Sequence, residues 1–242
     1  MKRQHNPHNR MGSPLTRSRH DRGLSTEIGR STRLKGRKRR KFARLRRQHK
    51  RANISSKAER NQVYGFTEIR RLVGALGLPR SVRDQACALF DSAQSEDLLR
   101  GRTIEGFAAA AVYAVCRTNG LSRTLAEVEA VARGDEAELS AAYDAMNRDL
   151  GLPTGPIDPR DYLPRYADEL DLPTDVERRA RELVETAEDR NLVSGKNPSG
   201  VAAACLYTAA DAADVPVTQA DAAAVADVTP VTLRSTYYDL QD

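Results

Sequence analysis

Tryptophan is absent from this chain of 242 residues, and aromatics reach only 5%. With 40% hydrophobic residues there is material for cores, but Ala, Leu and Val must do most of the packing. No apolar run approaches the roughly 20 residues that a membrane-spanning helix needs. The basic N-terminus is not followed by the apolar segment of a secretory signal. Both absences lead us to expect an intracellular, cytoplasmic protein with no membrane partner.

Cysteine is scarce as well. Cys87, Cys116 and Cys205 stand far apart, and no Cys-x-x-Cys pair occurs. A disulfide framework and a cysteine-based metal site are therefore not expected, and each thiol, set in an Ala-rich stretch, reads as a reduced, buried small side chain. The four histidines, His5, His8, His20 and His49, all fall in the N-terminal arm. His5 and His8 have a metal-compatible spacing but no companion ligands, so neither metal nor other cofactor is expected. The sequence also lacks a phosphate-binding Gly-rich loop with Lys-Ser/Thr, a His-Glu-x-x-His motif and a Gly-x-Ser-x-Gly motif. No enzyme activity and no small-molecule substrate are expected.

Lysine is missing from most of the chain, since Lys196 is the only one after Lys57. Acidic, Lys-poor, Ala/Val/Thr-rich surfaces suit molar salt, where self-repulsion is screened, and predict a halophilic protein. The net charge of +6 hides a division. Residues 1–60 hold 21 Lys/Arg against 3 Asp/Glu, a net +18, and the remaining 182 residues hold 18 against 30, a net −12. A cationic arm on an acidic body fits a polyanion, most simply nucleic acid, although a solubilising tail has the same composition. Within the arm, Lys35–Lys41 and Arg44–Arg51 form two basic runs, with Phe42, Leu45 and His49 three to four residues apart. That spacing predicts a basic helix with a thin apolar stripe, against the alternative of a solvated charge run.

The chain repeats itself. At an offset of 94, residues 70–148 lie over 164–242 without a gap. Leu78-Pro79 matches Leu172-Pro173, Gly101 matches Gly195, Gly106-x-Ala-Ala-Ala-x-x-Tyr113 matches Gly200-x-Ala-Ala-Ala-x-x-Tyr207, and Tyr143 matches Tyr237. Each copy reads as five helices. In the first these are expected at Val63–Leu76, Pro79–Leu99, Thr103–Asn119, a fourth opened by a Thr124/Glu127 capping box, and Asp135–Leu150. The third is apolar on nearly every side and belongs at the centre of a bundle. The second copy repeats the pattern from Arg160 onward. Leu152–Pro159, with three prolines in eight residues, is the linker. The expected organisation is an arm over 1–60, a first repeat over 61–151, a linker over 152–159 and a second repeat over 160–242. Strand signals are lacking, and the fold class is all-α.

Two local patterns suggest nucleic-acid contacts. In the second copy Thr218-Gln219 opens one helix, Asp227-Val228 turns, and Thr229-Pro230 opens the next, which is helix-turn-helix spacing. The start of the second helix would then face base edges with Thr229, Val231, Thr232 and, one turn on, Arg234. By spacing alone, an ordinary helical hairpin closing a bundle is an equal reading. Before each central helix lies a Gly-basic junction, Arg100-Gly101-Arg102-Thr103 and Ser194-Gly195-Lys196-Asn197. A cation beside free backbone amides at a helix start makes a phosphate seat, and recurrence at matched positions favours that over a plain charged turn.

These residues resemble a known family, archaeal transcription factor B, counterpart of eukaryotic transcription factor IIB. Leu98-Leu-Arg-Gly-Arg-Thr-Ile-Glu-Gly106 looks like its first-repeat signature, Leu192-Val-Ser-Gly-Lys-Asn-Pro-Ser-Gly-Val-Ala-Ala-Ala204 like its second, and Val228-Thr-Pro-Val-Thr-Leu-Arg234 like its recognition helix. Met11-Gly-Ser-Pro14 and His20–Gly29 look like its reader and linker region. The resemblance covers nearly the whole chain. It implies two tandem cyclin-like repeats, preceded by a largely extended or partly helical arm, that grip TATA-binding protein on promoter DNA. It implies upstream-DNA roles for Lys196, Thr218, Gln219, Thr229, Val231, Thr232 and Arg234, and downstream phosphate contacts for Arg100 and Arg102. The arm would enter RNA polymerase, and the protein would act at the nucleoid.

The sequence departs from the family in three places. No cysteine precedes Cys87, so the ligands of the family's zinc ribbon are not in this sequence. Glu136-Ala-Glu138 falls where the first repeat is usually basic, and Thr236 and Tyr238 replace basic residues after the recognition helix, which predicts reduced DNA affinity. Two accounts stay open: an initiation factor whose start lies upstream of Met1, and a ribbonless paralogue that modulates or competes at promoters. A cyclin-like module that activates a kinase, or a lone repressor, would account for less of the sequence.

Overall fold

Backbone conformation carries the repeat more plainly than side chains do. The computed structural model describes residues 35–52 and 56–241. Four pairs of residues at the offset of 94 share the left-handed region: Gly77 and Asp171 (φ 63° and 51°), Asp97 and Asn191 (both 58°), Gly101 and Gly195 (both 75°), and Gly120 and Asp214 (63° and 52°). Three of these pairs end helices in the same way. The N–H one residue beyond each turn reaches back to the last helical turn, from Leu78 to Val73 O (2.9 Å) and Leu172 to Ala167 O (2.8 Å). The same closure joins Leu98 to Ala93 and Leu192 to Ala187, and Leu121 to Cys116 and Val215 to Ala210. An apolar residue following a left-handed one is the signature of this helix stop. In the second copy Asp or Asn often stands where Gly would be easiest, since these short polar side chains tolerate the conformation best.

Eleven helices lie in the described residues, with no strand among them. α1 (Gly36–Ala52) is the basic arm helix. The first copy contributes α2 (Lys57–Ala75), α3 (Arg80–Ser95), α4 (Ile104–Thr118), α5 (Leu125–Val131) and α6 (Glu136–Leu150). The second contributes α7 (Leu163–Glu169), α8 (Thr174–Asp189), α9 (Pro198–Ala212), α10 (Gln219–Val225) and α11 (Pro230–Gln241). The expected all-α class and the five helices per copy hold.

Boundaries differ for local reasons. α2 begins six residues before the expected Val63, because Ser56 and Glu59 form a reciprocal capping box that stabilises an earlier start. Its counterpart α7 is only seven residues long, with Pro164 in its first turn and a short 3-10 turn over Pro159–Asp161 before it. The expected cap at Thr124 is present, its Oγ1 accepting from Glu127 N–H at 3.1 Å. The arm motifs over residues 11–14 and 20–29, and His5, His8 and His20, lie outside the described residues.

By proximity the chain divides into two compact units. One contains the described residues through Val112 with Val131–Leu150, and the other contains Tyr113–Ala130 with the described residues from Gly151 on. In the first unit Phe66 and Phe90 meet edge to face at 6.1 Å, and the Phe90 ring covers Gly65 so closely that a Cβ there would lie 2.3 Å from its tip. Glu68 is the unusual buried group. Its carboxylate takes both Nε and NH2 of Arg71, with Arg133 at 3.5 Å, and Arg71 also donates to the Val131 carbonyl at 2.6 Å. In the second unit α9 is the central helix, buried from Ser199 to Leu206, with Leu163, Tyr166, Val176, Val184, Ala222 and Leu233 packed around it. Alanine dominates the centre, so neighbouring backbones approach closely with few large side chains.

The cysteines are as expected. Each is buried, and burial raises the thiol pKa, to about 12 for Cys87, about 11 for Cys116 and about 12 for Cys205. A buried thiol held protonated is a poor nucleophile. An aromatic disulfide reagent at pH 8 should therefore label none of them in the native protein, and all three once the chain is unfolded; prompt native labelling would contradict this packing.

Candidate nucleic-acid interface

The helix-turn-helix is assembled by three local devices. Thr218 caps α10, its Oγ1 accepting from Asp221 N–H at 3.1 Å. Asp227, left-handed at φ 51°, ends α10, and Val228 N–H closes back to Ala223 O at 3.0 Å. Thr229 then caps α11, accepting from Thr232 N–H at 3.2 Å, while the two threonine hydroxyls lie 2.9 Å apart. Leu233 at 0% exposure and Thr236 at 5% anchor the inner face of α11.

What remains outward is a stripe. Val231 is 73% exposed, an unusual position for a large aliphatic side chain, and Thr232, Arg234 and Ser235 are exposed beside and after it. The Arg234 Nε donates to Gln219 Oε1 at 3.0 Å, so α10 orients the guanidinium. Gln219 in turn donates to the Tyr207 hydroxyl at 3.5 Å. The structure thus brings Thr218, Gln219, Thr229, Val231, Thr232 and Arg234 to one corner.

Lys196 joins that corner in a way the sequence did not reveal. Its ammonium is paired with the Asp239 carboxylate of α11. This pair ties the junction before α9 to α11 and partly neutralises the lysine. Arg234 is the only cationic residue between Thr218 and Gln241, against Asp221, Asp227 and Asp239. The outward face is therefore made mostly of methyl groups and hydroxyls.

The two Gly-basic junctions have the same geometry, with Gly101 and Gly195 both at φ 75°. At each junction one backbone amide is turned back on the preceding turn. Arg102 N–H donates to Leu99 O at 3.2 Å and Lys196 N–H to Val193 O at 3.1 Å. The helix starts are capped by their own side chains, Thr103 Oγ1 accepting from Gly106 N–H (3.3 Å) and Asn197 Oδ1 from Ser199 N–H (3.1 Å). Arg100 and Arg102 are exposed on an open cleft of about 490 Å³, which Lys57 and Asn61 at the start of α2 also line. Those two residues were missed because they lie some 40 positions away in sequence.

Of the residues that depart from the family's basic pattern, Thr236 is turned inward and donates to Thr232 O at 3.4 Å, so a cation there would not reach solvent easily. Glu136 lies in the exposed first turn of α6, where negative charge suits the helix dipole. Among the described residues no cluster of His, Cys, Asp and Glu has the makings of a metal site, and no helix is long and apolar enough to cross a membrane.

Comparison with known proteins agrees with this arrangement. The family model described as the transcription factor TFIIB repeat matches residues 58–149 and again 153–242. The chain belongs to the TFIIB repeat family. The two matched segments hold the two cyclin-like five-helix repeats, α2–α6 and α7–α11. Transcription initiation factor IIB 1 of Halobacterium salinarum is 72% identical over 233 residues, spanning 96% of this chain and 81% of its own. Transcription initiation factor IIB 5 of the same organism is 51% identical over 231 residues, spanning 93% and 75%. Transcription initiation factor IIB of Archaeoglobus fulgidus is 41% identical over 245 residues, spanning 99% and 75%. In this TFIIB repeat protein the second repeat therefore ends in the exposed helix-turn-helix corner, while its first-repeat equivalent begins with acidic residues.

Proposed function

We propose that this TFIIB repeat protein is a transcription initiation factor that binds TATA-binding protein on promoter DNA and positions RNA polymerase. The observation that carries the reading is Val231, an aliphatic side chain left 73% exposed in the first turn of α11, with Thr229, Thr232 and Arg234 around it. A methyl-bearing side chain among hydroxyls and one guanidinium, at the start of a helix, is well suited to a major groove. There the valine meets a thymine methyl, and the arginine meets guanine or phosphate. Thr218, Gln219 and Lys196 flank this corner as upstream contacts. Arg100 and Arg102, with Lys57 beside them, hold downstream phosphates. α1, cationic along its whole length, meets the polyanionic or polymerase surface ahead of the repeats. No bond is made or broken in this scheme: phosphate contacts fix register, base contacts fix which promoter is chosen, and polymerase docks where they agree.

The test is a promoter mobility shift with and without TATA-binding protein, at stated salt, because phosphate-based affinity depends steeply on salt. The expected result is a further shift of the TATA-binding-protein complex and little binding to duplex alone. Binding to duplex irrespective of TATA-binding protein would point to a lone repressor, and no DNA dependence at all to a cyclin-like protein-binding module.

A further inference from the structure

We infer that Tyr238 is a DNA-backbone contact, its neutral hydroxyl donating to a phosphate where a cation would otherwise serve. This rests on the reading of α11 as the recognition helix.

Three observations support it. Tyr238 lies seven residues after Val231 and four after Arg234, two and one helical turns along the same stripe, and it is 58% exposed. Its ring is held in place by its neighbours. It meets Tyr237 edge to face at 5.6 Å, Tyr237 meets Tyr207 in the same way at 5.2 Å, and the Tyr237 hydroxyl donates to Asp211 at 3.0 Å. An exposed tyrosine whose ring edge rests on a fixed neighbour has less rotamer entropy to lose when its hydroxyl is bound. Finally, the one lysine of the second repeat is already engaged: Lys196 is paired with Asp239, the residue next to Tyr238.

The physical consequence concerns salt. A lysine on phosphate releases condensed counterions, so its contribution disappears as salt rises, whereas a neutral hydroxyl releases none. Tyr238 thus retains its contact in the ionic conditions that the Lys-poor body implies. Tyrosine hydroxyls are among the ordinary donors to phosphate oxygens.

The experiment measures binding of the full chain to a TATA-binding-protein–promoter complex by fluorescence anisotropy across a salt series, for the wild type, Tyr238→Phe and Tyr238→Lys. Phe keeps the ring and its packing on Tyr237, so it isolates the hydroxyl. The expected result is a loss of roughly threefold to tenfold for Tyr238→Phe, equal at every salt, the size of one neutral hydrogen bond. Tyr238→Lys should steepen the plot of log affinity against log salt by about one unit. Wild-type affinity in Tyr238→Phe, or an unchanged salt slope in Tyr238→Lys, overturns the contact while leaving the function standing. A wild-type chain that ignores the promoter complex overturns the function and the contact together.

Discussion

Replacing Arg234 with alanine is expected to weaken binding to the TATA-binding-protein–promoter complex by about 1–3 kcal/mol and to relax preference for the upstream sequence. Two features give Arg234 this weight. It is the only cation on the corner formed by α10 and α11 apart from Lys196, and Lys196 is already paired with Asp239. Its guanidinium is also pre-oriented by Gln219 at 3.0 Å, so less entropy is lost when it engages a base. Gln219→Ala should accordingly cost less than Arg234→Ala and in the same direction. Competition among promoters that differ only upstream is the measurement. An equal loss on every upstream sequence would reduce Arg234 to a phosphate contact.

The largest effect on stability is expected at Arg71. Arg71→Leu should cost about 3–5 kcal/mol, because it leaves the Glu68 carboxylate, whose side chain is only 3% exposed, with Arg133 alone at 3.5 Å. Glu68→Gln should cost nearer 1 kcal/mol. The asymmetry follows from exposure: the guanidiniums it leaves behind have side chains 34% and 57% exposed, and water can reach both. The double replacement Glu68→Leu with Arg71→Leu should recover much of the loss, since no buried charge is then stranded. Urea unfolding in molar salt, followed by far-ultraviolet circular dichroism, reads all three variants. If Arg71→Leu proved no worse than Glu68→Gln, the carboxylate would have another partner in solution.

These two cases show why parts of the molecule were legible in sequence and others were not. Thr124, Thr218 and Thr229 are capping residues whose partners lie three positions away, so spacing alone locates them. The glycine stops at Gly77 and Gly120 are equally local. Their equivalents Asp171 and Asp214 were harder to read, because aspartate is common on surfaces and its left-handed backbone leaves no compositional trace. The Glu68 network was not legible at all. An acid and an arginine three apart on a helix ordinarily read as a solvated pair, and only packing against Val131 and Arg133, more than 60 residues on, buries the carboxylate.

The sequence by itself determined the duplication, the all-helical class, the five helices of each copy and the corner at Thr218–Arg234, because these depend on periodicity, caps and turns within a few residues of one another. Only tertiary structure decided which faces are outward and which charges are already used. Thr236 is turned inward, Tyr238 outward with its ring edge on Tyr237, Lys196 tied to Asp239 across 43 positions, and the Arg102 and Lys196 amides closed back on their own turns. Burial and pairing are set by neighbours far away along the chain, and local pattern carries no information about them.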